Sequence, residues 1–289
     1  MNEFFHEGER HLQKLMSIRQ SSDTLSSMIN NSFPEIAKNF LLNLKFCVIS
    51  LSINEDDLFS SVIYGVKSFI TIIDDKTICI DLKNKSYIPP DYFEVKDFSI
   101  GFLGLDFEKT MRMRINGTAS IKNNQLTLVA KEIYSNCPKY IRRRVPSLRL
   151  KEKVTSNLIN YNTFNDELKN VISNTDTFFF SSLHKDKGAD ISHRGGEKGF
   201  IRIVSSDEIE FDDKPGNNFF NTLGNIHTNS LVNILLIDFT DNNTYLLFAN
   251  ATFKKILLKE KYILRITLKC LNILKNTNSF LMNYHSKLN

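Results

Sequence analysis

The sequence predicts a mainly β protein built from two tandem units of similar fold. Three observations carry this. Segments recur along the chain at a near-constant spacing: Phe69–Ile78 resembles Phe200–Ile209 at an offset of 131, and Leu105–Phe107 resembles Ile237–Phe239 at 132. Phe46–Leu51 and Phe178–Leu183 share the offset of 132, as do Glu35-Ile36 and Glu167-Leu168. One such match means little among apolar residues; the common register is what signals an internal repeat. Segments rich in β-branched and aromatic residues then follow one another at short intervals, with turn residues between them, as in antiparallel barrels or sandwiches. Finally, 289 residues with 42% hydrophobic and 24% charged side chains are ordinary for a globular protein and long enough for two cores.

Residues 1–30 read as an N-terminal helical arm, in which Glu9, Leu12, Leu15, Met16 and Arg19 give one apolar and one charged face. A first unit, 31–150, opens with the amphipathic helix Pro34–Leu44, and a turn at Asp56 and Asp57 follows its first strand. A second unit, 151–289, opens with the helix Asn165–Ser173, and Lys185-Asp186-Lys187-Gly188 is the equivalent turn. Its strands are expected at Phe178–Leu183, Gly199–Val204, Glu208–Phe211, Val232–Phe239, Tyr245–Phe253 and Tyr262–Cys270. The basic segment Lys139–Lys153 falls between the units and reads as a solvated link.

Composition narrows the function classes. Thirty-seven basic against 32 acidic residues leave a net charge of +5, too mild for a dedicated nucleic-acid binder. The four cysteines, Cys47, Cys79, Cys137 and Cys270, show neither a CxxC pair nor zinc spacing, so reduced thiols are expected. There is no basic segment leading into an apolar run at the start, and no apolar stretch reaches the ~18–20 residues of a membrane span. The expectation is a cytoplasmic protein with no membrane or nucleic-acid partner.

The units diverge most over Asp190–Phe200 and Asp213–Ile226. There Arg194-Gly195-Gly196 joins a forked cation to a backbone that lets N–H groups approach an anion. Lys198 and Lys214 add charge, and Asn217, Asn221 and Thr222 supply neutral donors near a short helix start. These types in this order suit a phosphate-bearing ligand; the same stretch also reads as a plain β-turn before a capped surface helix. His193 reads as a surface loop residue. Cys137 reads as a half-buried packing thiol, with redox activity beside Lys139 as the alternative. Asp106 and Asp238 read as structural. A metal or haem role for His6 and His11 is a minor alternative. At the repeat offset Arg194 falls on Val62 or Ile63, so the first unit is expected to lack an equivalent cation.

Asp190–Phe200, Pro215-Gly216-Asn217, Thr222–Ile226 and Leu235–Phe239, together with Gly104–Phe107, Met111–Ala119, Tyr134–Ile141 and Phe5–Glu9, resemble the pyridoxamine 5'-phosphate oxidase-like family of FMN-binding split barrels. The likeness covers nearly the whole chain to about Cys270 and points to a tandem subgroup. It implies two split β-barrels with short helices, paired as an intramolecular pseudo-dimer, with homodimerisation of the whole chain also compatible. It further implies FMN between the barrels and a small-molecule electron donor or acceptor. Carried to matching positions, Arg194 and Lys214 face the phosphate, with Gly195 and Lys198 beside them. Asn217, Asn221 and Thr222 donate from the helix start, Ser192 faces the ring, and the segment holding Cys137 and Lys139 is the cross-barrel partner. Two departures matter. The Arg-rich C-terminal substrate motif of the vitamin B6 oxidase is absent, so that activity is not expected. His193 also stands where the subgroup carries proline. The reading is an FMN-dependent oxidoreductase of unknown substrate, with a non-catalytic FMN- or haem-binding module as the alternative.

Overall fold

The computed structural model describes residues 5–17, 29–65, 69–135, 137–150, 158–240, 243–258, 261–276 and 280–285. The chain runs α1 (Glu7–Leu15), α2 (Glu35–Leu42), β1 (Phe46–Ser52), β2 (Phe59–Tyr64), β3 (Ile70–Ile72), β4 (Thr77–Asp81), α3 (Asp91–Glu94), β5 (Phe98–Asp106), β6 (Met111–Lys122) and β7 (Gln125–Ser135). After β8 (Val145–Leu150) and β9 (Leu158–Tyr161) come α4 (Asp166–Asn174), β10 (Thr177–His184), β11 (Gly188–Gly195), β12 (Arg202–Ile203), β13 (Glu208–Asp212) and α5 (Asn221–Thr228). The chain closes with β14 (Leu231–Ile237), β15 (Thr244–Leu258), β16 (Lys261–Asn276) and β17 (Phe280–His285).

The repeat seen in sequence is a repeat of topology. One antiparallel sheet has the order β2-β1-β5-β6-β7-β4-β3, and the other β11-β10-β14-β15-β16-β13-β12. Each strand of the second sheet sits where its counterpart sits in the first, so the mainly β, two-barrel architecture holds. Even the bulges correspond. The register shifts at Asn116/Gly117 in β6 and at Phe248/Ala249 in β15, 132 residues on. Gly117 is required there, since a Cβ would lie 2.1 Å from the Val129 carbonyl oxygen.

Alternation along β10 joins the units into a pseudo-dimer. Successive side chains of a strand point to opposite faces. Phe178 and Phe180 therefore fill the core of their own unit, while Phe179 joins Val48, Leu103 and Ile115 of the first. Phe179 lies 5.7 Å from the Phe46 ring, and Ser60 Oγ and Ser181 Oγ meet across the junction at 2.7 Å. The backbones approach closely at Gly101, where an added Cβ would stand 2.8 Å from Asp190 Cα. Gly101→Ala should thus push β5 from β11 and cost about 1–3 kcal/mol, the scale of an overpacked core. Gly216→Ala, whose methyl would meet only Lys214 O at 3.9 Å, should leave the denaturation midpoint nearly unchanged.

Several expectations need correction. Asp190–Gly195 is not a β-turn, nor His193 a loop residue: the segment is most of β11, paired with β10. Phe178 pairs with Arg194 as Phe46 pairs with Tyr64, so Arg194 corresponds to buried Tyr64 and not to Val62 or Ile63. The turn before β2 is two residues longer than the turn before β11, which shortens the local offset. The strand expected over Gly199–Val204 is only Arg202–Ile203, whereas β16 runs past Cys270 to Asn276. Part of the supposed link, Val145–Leu150, is a strand paired with Phe280–His285. Of the arm, residues 1–4 and 18–28 lie outside the described residues. No helix among the described residues is long and apolar enough to cross a membrane.

Candidate functional site

The divergent segments of the second unit meet the β5–β6 hairpin of the first around a cavity of about 180 Å³. β11 contributes Ser192, His193 and Arg194; the loop after β13 contributes Lys214 and Asn217; the start of α5 contributes Asn221 and Thr222. A smaller cavity of about 40 Å³ adjoins it, lined by Cys137, Lys139, Tyr140 and Gly195. Arg112, His193, Arg194 and Lys214 border both cavities. The structure therefore brings together nine of the ten sequence-derived candidates in one bipartite cleft. Lys198 is the exception. The chain turns after Gly196, and Lys198 lines a separate polar cavity with Arg144, Asp176 and Asp238. Asn136 lies outside the described residues, and Cys137 is exposed, not half-buried.

Arg112 and Arg114 escaped the sequence reading, and they change the electrostatics most. They sit two apart on β6 and so share one face. Arg112 donates from Nη1 to His193 Nδ1 at 3.1 Å and to His193 O at 3.4 Å. Among the described residues no carboxylate pairs with it, and its Nε has no partner. Burial, with Arg114 and Arg194 nearby, pushes its pKa down to about 10, still fully charged near neutrality. Arg194 lies 3.0 Å from Asp213 Oδ1, but that oxygen accepts no aligned hydrogen bond. Burial raises the Asp213 carboxyl above its ordinary range while Arg194 pulls it down. Lys214 lies over the Tyr140 ring at 4.9 Å and the Phe200 ring at 5.5 Å, and burial lowers its pKa. Gly196 leaves it room, because a Cβ there would approach Nζ to 2.9 Å.

His193 is buried, contrary to the surface reading. An arginine can only donate, so His193 Nδ1 must accept and the ring is neutral. Burial, then Arg112, Arg144 and Arg194, hold its pKa well below the usual value. It supplies no general acid at neutral pH.

Beneath the cavity a buried polar network ties both units together. Arg114 pairs with Asp190 at 3.1 Å, and Asn116 Nδ2 donates to Asp190 at 3.1 Å. Arg114 Nη1 also donates to Tyr134 Oη at 3.1 Å and to Asn221 Oδ1 at 3.3 Å. Thr222 Oγ1 donates to Ser192 Oγ at 3.1 Å, and Ser192 donates to Phe180 O at 3.2 Å. Ser192 and Thr222 thus hold α5 against β11, whereas the arginines and Lys214 keep donors for a ligand. Asp106 and Asp238 serve turns: Asp106 Oδ1 accepts from the N–H of Glu108 and Lys109, and Asp238 Oδ1 from that of Thr240.

No family model and no curated protein matches the chain. In structure it is similar to proteins of the pyridoxamine 5'-phosphate oxidase-like fold. General stress protein 26 of Bacillus anthracis shares 13% identity over 40% of this chain and 96% of its own, with a TM-score of 0.31. HupZ of group A Streptococcus shares 12% over 37% and 89%, with a TM-score of 0.31. A Clostridium acetobutylicum protein described as of the pyridoxinephosphate oxidase family shares 6% over 43% and 88%, with a TM-score of 0.28.

Proposed function

We propose that the bipartite cleft binds one phosphorylated, partly planar ligand, FMN, and that the protein is a flavin-dependent oxidoreductase acting on a substrate other than vitamin B6. The observation that carries this reading is Arg112, a largely buried guanidinium without a carboxylate partner among the described residues, beside Arg194 and Lys214. A phosphate monoester is close to doubly anionic at neutral pH and suits such a cluster. Arg112 and Arg194 would hold the phosphate, with Lys214, Asn217 and the start of α5 around it. The Cys137–Tyr140 side would meet the rest of the ligand. At about 180 Å³ the main cavity is smaller than the roughly 300–1,000 Å³ usual for closed ligand sites, so FMN would extend into the adjoining cavity and toward solvent. Flavin supplies hydride and single-electron transfer when bound. The chain's own residues anchor the phosphate and place a neutral His193 beside it. His193, the only histidine among the cleft's described lining residues, accepts at Nδ1 from Arg112, so its Nε2 carries the ring proton and offers haem no lone pair.

The test is the visible spectrum of purified protein before and after adding FMN. Bands near ~450 and ~370 nm that survive gel filtration are the expected result. A single intense band near ~400 nm would replace FMN with haem. No retained chromophore after reconstitution would refute the flavin reading. Bound flavin with no turnover of reduced nicotinamides would favour a sensing or storage module.

A further inference from the structure

Helix α1 is fastened to the second unit through groups that carry protons. It crosses α5 so closely that a Cβ on Gly8 would fall 2.1 Å from Gly224 O. Glu9, 3% exposed, accepts from the His6 N–H at 2.9 Å and from Asn221 Nδ2 at 2.6 Å. Among the described residues its one basic ion-pair partner is His6, at 3.5 Å. Glu132 of β7 and Asp190 of β11 face it, with Lys187 from the turn before β11, around a cavity of about 20 Å³, room for one water. The His6 ring lies tilted against His184 of β10 with centroids 4.0 Å apart, and exposed His11 stacks on His227 of α5 at the same distance.

His6, Glu7 and His184 cluster closely, but the rings do not offer a metal their lone pairs. His6 Nδ1 accepts from the Gly8 N–H, and His184 Nδ1 accepts from those of Asp186 and Lys187. This puts the neutral ring's proton on Nε2 in both.

We propose that α1 is a latch on the ligand cavity that the buried carboxyl of Glu9 releases in alkali. Docked, the carboxyl has no lysine or arginine at ion-pair distance among the described residues, and burial beside two other acids outweighs the pull of Lys187, so ionising it favours leaving the site. Burial first, then Glu132 and Asp190, raise its pKa to about 8, from an ordinary 4.5. The docked arm thus holds a proton that the released arm has lost, and docking weakens as pH rises from 4.5 to 8. Burial and then His184 lower His6 to about 4 from 6.5, with Glu7 opposing and Lys187 assisting. His6 acts oppositely, because the released arm binds its proton first, so docking strengthens as pH rises from 4 to 6.5. The two effects offset each other below pH 6.5. His227, lowered by burial and His11, adds a smaller loss of docking in acid. What remains is release between pH 6.5 and 8. Asn221, which Glu9 holds, lines the cavity, so release frees a ligand-side donor. That last consequence rests on the proposed ligand reading; the latch does not.

Hydrogen exchange of the ligand-free, full-length protein tests it, with α1 protection corrected for the intrinsic rate. Between pH 6.5 and 8.5, α1 protection should fall about thirtyfold while β10 and β14 hold theirs. Glu9→Gln, which keeps the shape and cannot ionise, should remain protected at both pH values. Gly8→Ala should expose α1 at both. Unchanged α1 protection in the unaltered protein, or an equal fall in Glu9→Gln, would overturn the proposal. Both readouts stand even if FMN does not bind.

Discussion

Alanine at Arg112 should weaken FMN binding by about 1.5–3 kcal/mol, roughly tenfold to 150-fold, the scale of a charge-assisted hydrogen bond lost. Arg112 has its charge uncommitted to any described carboxylate, whereas Arg194 already faces Asp213 at 3.0 Å. Arg194→Ala should therefore cost less than Arg112→Ala, although Arg194 is the cation that stands out in the sequence. Asp213→Asn removes a carboxylate that competes with phosphate and should tighten binding. Calorimetric titration with FMN measures all three. Affinity in Arg112→Ala equal to that of the unaltered protein would remove the phosphate from this corner of the cleft.

The second large effect concerns stability. Arg114 and Asp190 are 7% and 3% exposed, and together they bind the first unit, the second unit and α5. Removing one partner of a buried pair strands the other charge, so Arg114→Met should destabilise by about 3–5 kcal/mol. Asp190→Asn should cost a comparable amount, and the double replacement less than the two single losses combined. Denaturant unfolding measures this, and additive losses would show that the two side chains do not act as a pair. The stake is the cavity floor, because Arg114 also orients Asn221.

Much of the fold was legible because strand repeats preserve what the sheet needs. The spacing of Phe46–Leu51 to Phe178–Leu183 marked two equivalent strands, and the structure pairs them alike. Arg194, Lys214, Asn217, Asn221 and Thr222 were findable because they lie within 29 residues of one another, in segments where the units diverge. Arg112 was not, since it approaches from the other unit and only the tertiary fold shows which strand face meets β11. Its one local signal was Arg112 and Arg114 alternating with Met111 and Met113, a spacing that puts both cations on a single face if the segment is extended. Lys198 was misplaced for the opposite reason: nearness in sequence to Arg194 does not survive the turn at Gly196. His193 looked like a loop residue because Asp190-Ile191-Ser192-His193 carries few strand formers, and pairing with β10 overrode that weak local preference.

The cleft draws side chains from two barrels that one polypeptide joins, with β8 pairing to β17 as a further tie across the chain. In a protein made of separate barrels such a cleft would vanish on dilution, and its occupancy would report subunit concentration as well as ligand. Here the second half is always present at a fixed effective concentration. Ligand affinity should accordingly be the same at nanomolar and micromolar protein. With Tyr64 standing where Arg194 does, the cation at that strand position is present in one unit only.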